Sequence, residues 1–79
     1  MTDTFVFEDG NGDIVKITRM RPHIPLYTLK YPKIEEMGVW EPEENYLNVA
    51  TAKLFAYVIG GIDTYNLFIN WHNLWESNK

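Results

Sequence analysis

Nucleophilic or acid–base chemistry in this chain would have to start from the imidazoles of His23 and His72 or from Ser77, the single serine, because cysteine is absent. A serine nucleophile needs a base beside it, and Ser77 falls in a C-terminal stretch expected to fray. His23 lies between Pro22 and Pro25 in a basic loop, where a solvated or backbone-bonded imidazole is the reading adopted. His72 and Glu76 stand four residues apart, so a helix places them on one face as an imidazole–carboxylate couple. The reading adopted for them is a surface pair worth a few tenths of a kcal/mol.

Asp9, Asn11 and Asp13 resemble the opening of a calcium loop, in which oxygens at alternate positions surround the ion. The glycine that should follow the fifth position is replaced by Ile14, and the closing bidentate glutamate by Met20. A plain hairpin turn is the better fit. No glycine-rich phosphate loop, zinc motif or nucleotide fingerprint occurs. The expectation is a protein without catalytic residues, metal or cofactor, and not an enzyme.

Seventy-nine residues make one compact domain, 1–79, because two cores would leave each half too small to fold unaided. Lacking disulfides and thiolate metal sites, the core must rest on three Trp, five Tyr and four Phe. The N-terminal MTDTFVFEDG has neither the basic start nor the apolar run of a secretory signal. No apolar stretch is long enough to span a bilayer, which gives the expectation of a cytoplasmic protein.

The net charge of −4 conceals an asymmetry. Residues 14–34 contain Lys16, Arg19, Arg21, Lys30 and Lys33 and no acid, whereas residues 35–44 contain Glu35, Glu36, Glu41, Glu43 and Glu44 and no Lys or Arg.

These residues must be positioned by the following elements. TFVF and DIVKITRM alternate in polarity around EDGNG, whose glycines and asparagine supply the positive-φ positions of a tight turn, so residues 4–20 read as a β-hairpin. PLYTLKYP alternates Tyr27, Leu29 and Tyr31 against Leu26, Thr28 and Lys30, and its flanking prolines suggest a short edge strand. Pro42-Glu43-Glu44 signals a helix start. In that helix, which runs to Ile59, Tyr46, Leu47, Ala50, Leu54, Tyr57 and Val58 form the expected core stripe. Ala52, Phe55, Ala56 and Ile59 form a second apolar patch, facing the sheet or a second copy. Gly60-Gly61 and Asp63 read as a cap, a short loop and a new helix start, giving a second helix with Leu67, Phe68, Trp71, Leu74 and Trp75 on one face. The fold expected is α+β: a β-hairpin or three-stranded antiparallel sheet followed by an antiparallel two-helix hairpin, ββ(β)αα.

The function expected is that of a small protein-binding module that inhibits or modulates a macromolecular partner, of the kind phages and mobile elements carry as host-directed or anti-defence factors. Its partner-binding surface would be Glu35, Glu36, Trp40, Glu41, Glu43 and Glu44, an aromatic anchor rimmed by carboxylates, together with Phe55. The partner would be a protein, such as a nucleic-acid-binding host protein, and homodimers are allowed for. The alternative is a nucleic-acid-binding domain that lays its basic strands along phosphates and stacks Tyr27 or Tyr31 on bases. An acidic protein is the poorer electrostatic match to that ligand.

Overall fold

The computed structural model describes residues 2–21, 24–33 and 46–77. Four antiparallel strands, β1 (Thr4–Glu8), β2 (Ile14–Arg21), β3 (Ile24–Lys30) and β4 (Leu47–Asn48), form a sheet in the order β1-β2-β3-β4. One long helix, α1 (Val49–Ser77), covers one face of it.

The hairpin expected from EDGNG is present, with Phe5 opposite Ile17 and Phe7 opposite Val15. Gly12 N donates to Asp9 O at 3.2 Å and Asp9 N donates to Asp13 O at 3.0 Å, closing a three-residue loop. Gly12, at φ 86°, takes the left-handed position that such a loop requires, while Asn11 does not adopt positive φ. Period-2 alternation then sends Phe7, Val15, Ile17, Tyr27, Leu29 and Tyr31 to the covered face. β3 is not an edge strand: β4 pairs beside it, matching Leu26 with Asn48 and Tyr27 with Leu47. Pro25 is tolerated because it lies where the β2–β3 register shifts, between Arg19 and Arg21.

The two-helix hairpin does not exist. Asn48 Oδ1 accepts from Thr51 N at 2.9 Å, so Asn48 caps a helix that begins at Val49. Tyr46 to Asn48, read from the sequence as helix, are not helical, because Leu47 is buried by strand pairing. At the other expected boundary only Gly61 leaves helical geometry, at φ 88° and ψ −178°. A helical hairpin needs a loop of about two to five residues. Gly61 kinks the helix, and Asp63 falls inside it instead of capping a new one. The bend shows in Tyr57 and Tyr65, whose rings meet edge-on at 6.0 Å although they are eight residues apart.

The core-stripe assignment is inverted as well. Ala52 and Ala56 are fully buried, with Phe55 and Ile59 packed against the same cluster, so the second patch is the one that faces the sheet. Tyr46, Leu54, Tyr57 and Val58 are exposed. Small alanines let the helix backbone approach the sheet closely, an advantage that a count of apolar bulk does not register. In the C-terminal half, Phe68 and Trp71 enter the core while Leu67 and Leu74 stay exposed. Phe5, Tyr27, Phe68 and Trp71 form a mutually packed aromatic cluster, with ring centroids 5.5–5.7 Å apart.

Candidate functional site

Sequence periodicity puts Arg19 on the same face of β2 as Val15 and Ile17, and the fold buries it there at 3% exposure. It lies directly opposite Tyr27 across the β2–β3 ladder. Its Nη1 donates to Tyr27 Oη at 2.8 Å, its Nη2 to Glu76 Oε1 at 3.3 Å and its Nε to Arg21 O at 3.3 Å. The guanidinium carbon also sits 5.7 Å from the Trp75 ring centroid.

His72 completes this group, its Nδ1 hydrogen-bonded to Tyr27 Oη and its Nε2 lying 3.6 Å from Glu76 Oε1. A guanidinium only donates, so Tyr27 Oη accepts from Arg19. Burial raises the Tyr27 hydroxyl pKa against the opposing pull of Arg19, which keeps the phenol a donor.

His72 and Glu76 are therefore not a simple surface pair. They clamp the last turns of α1 onto β2 and β3 through a buried arginine. The group has the residue types of an acid–base centre, and its tyrosine is 0% exposed. It sets the buried Arg19 guanidinium against a partly exposed carboxylate, a phenol and two aromatic rings.

A second polar cluster lies at the hairpin turn. Asp9 Oδ1 accepts from Asn11 N at 2.8 Å and Asp13 N at 2.9 Å, while Oδ2 accepts from Tyr31 Oη at 2.6 Å and meets Lys33 Nζ at 3.3 Å. The Tyr31 hydroxyl bond is the largest cause holding the Asp9 carboxyl well below the usual range, aided by the two backbone donors and Lys33. That same bond raises the Tyr31 pKa. The carboxylate oxygens are thus occupied by turn and core. Among the described residues no group of three or more His, Asp or Glu side chains is arranged to hold a metal ion.

The outer surfaces differ from both clusters. On the open face of the sheet, Lys16 and Lys30 are direct cross-strand neighbours, and with Ile14 and Pro32 they line a shallow depression of about 280 Å³. They supply two adjacent cations. Arg19 points the other way, and Lys33 is held by Asp9 and Asp13. Tyr27 and Tyr31, the rings proposed for base stacking, face the core and are buried. On the outer face of α1, Leu54 (59% exposed), Tyr57, Val58 (70% exposed), Ile62 and Leu67 leave large apolar groups in water. Leu54, Phe55 and Val58 line a depression there of about 120 Å³.

Of the residues assigned to partner binding from the sequence, Glu35, Glu36, Trp40, Glu41, Glu43 and Glu44 lie outside the described residues, as does His23. Phe55 is half-buried, leaning on the core while lining the outer depression. Sequence reasoning passed over Arg19 as a partner of His72 and Glu76, although its position two residues after Ile17 already placed it on the inward face. No helix among the described residues is long and apolar enough to cross a membrane. Scans against protein-family models, curated proteins and solved structures find no match to this chain.

Proposed function

We propose that this domain is a protein-binding module that inhibits or modulates a macromolecular partner, and that the partner docks on the outer face of α1. The supporting observation is the exposed run Leu54, Tyr57, Val58, Ile62 and Leu67 on a helix whose inner face is already committed to the sheet. A helix covering a sheet ordinarily turns charged and polar residues outward, and one that is apolar all round is covered on both sides. Contiguous exposed apolar surface of this kind marks interaction sites in soluble proteins.

The depression between Leu54, Phe55 and Val58 has the volume for one aliphatic side chain of the partner, an anchor pocket of the sort that concentrates binding energy. In this reading the carboxylates of residues 35–44 set the association rate with a basic partner, while the apolar ridge sets the lifetime of the complex.

A photo-reactive amino acid placed at Val58 tests the proposal in cells that express the protein naturally. Cross-linking to one discrete protein, abolished by Leu54→Glu and absent when the probe is moved to Lys30 on the open face of the sheet, is the expected result. Equal cross-linking from positions 58 and 30 would remove the proposal.

A further inference from the structure

Among the described residues β1 is an edge strand, and the ladder shows which of its backbone groups face away from β2. Arg19 N donates to Asp3 O at 2.8 Å and Asp9 N donates to Asp13 O at 3.0 Å, at the two ends of the β1–β2 pairing. In an antiparallel ladder the bonded pairs alternate, so Asp3, Phe5, Phe7 and Asp9 turn their N–H and C=O groups toward β2. Thr4, Val6 and Glu8 turn theirs to the side of β1 on which no described strand lies. Among the described residues only Thr4 O of these has a partner, an exposed bond at 3.2 Å from its near neighbour Thr2 Oγ1.

Natural edge strands are usually protected by proline, a bulge, a lysine or a covering element. β1, TFVFE, has no proline, lysine or register shift, and its one charge is Glu8. It leaves Val6 53% exposed on the open face and Phe5 half-buried on the inner one.

We infer that β1 pairs antiparallel with β1 of a second copy of this chain, about a two-fold axis at Val6 perpendicular to the sheet. This register uses all five residues. Val6 meets Val6, and Thr4 meets Glu8 of the other copy, each of these pairs exchanging both of its free backbone bonds. Phe5 meets Phe7 of the other copy on the inner face, in the closely spaced non-bonded type of pair where aromatic rings gain most. Glu8 faces a threonine and not its own symmetry mate, so no like charges are opposed. Shifting the axis to Glu8 would oppose the two carboxylates, and moving it to Phe5 or Phe7 would leave fewer residues paired.

The covering layer permits this arrangement. Phe68 and Trp71 touch both Phe5 in β1 and Tyr27 in β3, so the C-terminal half of α1 runs above β2. With strands ~4.8 Å apart, helices above the two β2 strands lie ~14 Å from each other, which separates their backbones and leaves a seam for side chains. This interface is separate from the ridge around Val58, so either surface stands if the other fails.

The absence of cysteine makes the test specific. Val6→Cys places the only thiol of each chain on the axis, with Cα atoms ~5.5 Å apart, inside the range a disulfide spans. Glu8→Cys places the two thiols four residues apart along the strands, ~14 Å, and serves as the control. Val6→Pro removes an N–H that points away from β2, so the monomer keeps its ladder while the central pair is lost. Sedimentation of the unmodified chain should give a mass that rises with concentration from 9.3 kDa toward twice that value. Val6→Pro should stay at the monomer mass, and mild oxidation should cross-link Val6→Cys but not Glu8→Cys. A chain that stays monomeric at ~1 mM, a dimer that survives Val6→Pro, or equal cross-linking of the two cysteine variants would each overturn the inference. Should Val6→Pro fail to fold, the cysteine pair decides the question alone.

Discussion

Arg19 and Tyr27 face each other across β2 and β3, and the guanidinium donates to the phenol oxygen at 2.8 Å, so the ring that fills the centre of the core also fixes its only buried cation among the described residues. The same hydroxyl meets His72, which in turn lies beside Glu76. Tyr27→Phe should keep the ring packing but remove the hydroxyl's bonds to Arg19 Nη1 and His72 Nδ1, at ~1–3 kcal/mol. Arg19→Ala should cost more, ~3–5 kcal/mol. Denaturant titration checks both, and Tyr27→Phe melting like the unmodified chain would contradict the network.

Acid stability should depend on Asp9. Its folded pKa is depressed below the ordinary 3.8 chiefly by the Tyr31 hydroxyl, so the unfolded chain binds more protons between the two values. The stabilisation is complete above pH ~4 and fades as pH falls through the folded pKa. Asp9→Asn should flatten stability against pH below 4, measured by chemical denaturation at a series of pH values.

The same bond should appear at high pH. Tyr31 is raised by its bond to Asp9 and Tyr27 by burial, so both should ionise above the ordinary tyrosine range in an absorbance titration. Because these pKa values are raised on folding, the stabilisation they carry is present below pH ~10 and lost above it.

Trp71 stacks among Phe5, Tyr27 and Phe68 and donates from Nε1 to Thr2 O at 3.0 Å. Trp71→Ala should cost ~3–5 kcal/mol. In a domain of this size that is most of the total stability, and the thermal melt should lose its cooperativity.

The two sides of α1 should respond oppositely to charge. Ala56→Glu buries a carboxylate at a fully buried site and should unfold the domain, whereas Val58→Glu, at 70% exposure, should shift stability by no more than ~0.5 kcal/mol. Circular dichroism melts of the two variants distinguish this face assignment from the reverse one.

Gly61 holds φ 88° and ψ −178°, a region open essentially to glycine alone. Gly61→Ala should cost ~1–3 kcal/mol although its Cβ meets no neighbouring atom, since the strain is in the backbone. An unchanged midpoint in urea would show that the bend is not required.

Local rules determined much of this protein from its sequence. Polarity alternation and the EDGNG turn defined β1 and β2, and the alternation of Tyr27, Leu29 and Tyr31 defined β3, because strand period and turn stereochemistry act between near neighbours. The four-residue spacing of His72 and Glu76 likewise placed them on one helix face. Whatever depended on contacts between distant segments was decided only by the tertiary structure. Leu47 joined the sheet because Tyr27 was there to pair with it, and Asn48 then capped the helix six residues beyond the proline signal. Of two apolar faces on α1, the one with Ala52 and Ala56 went inward because close approach of helix to sheet favours small side chains, a comparison that has no meaning until the two layers meet. Arg19, 57 positions from Glu76, became its partner only when β2 and the end of α1 came together, since a buried cation takes its counter-charge from whatever the fold brings within reach.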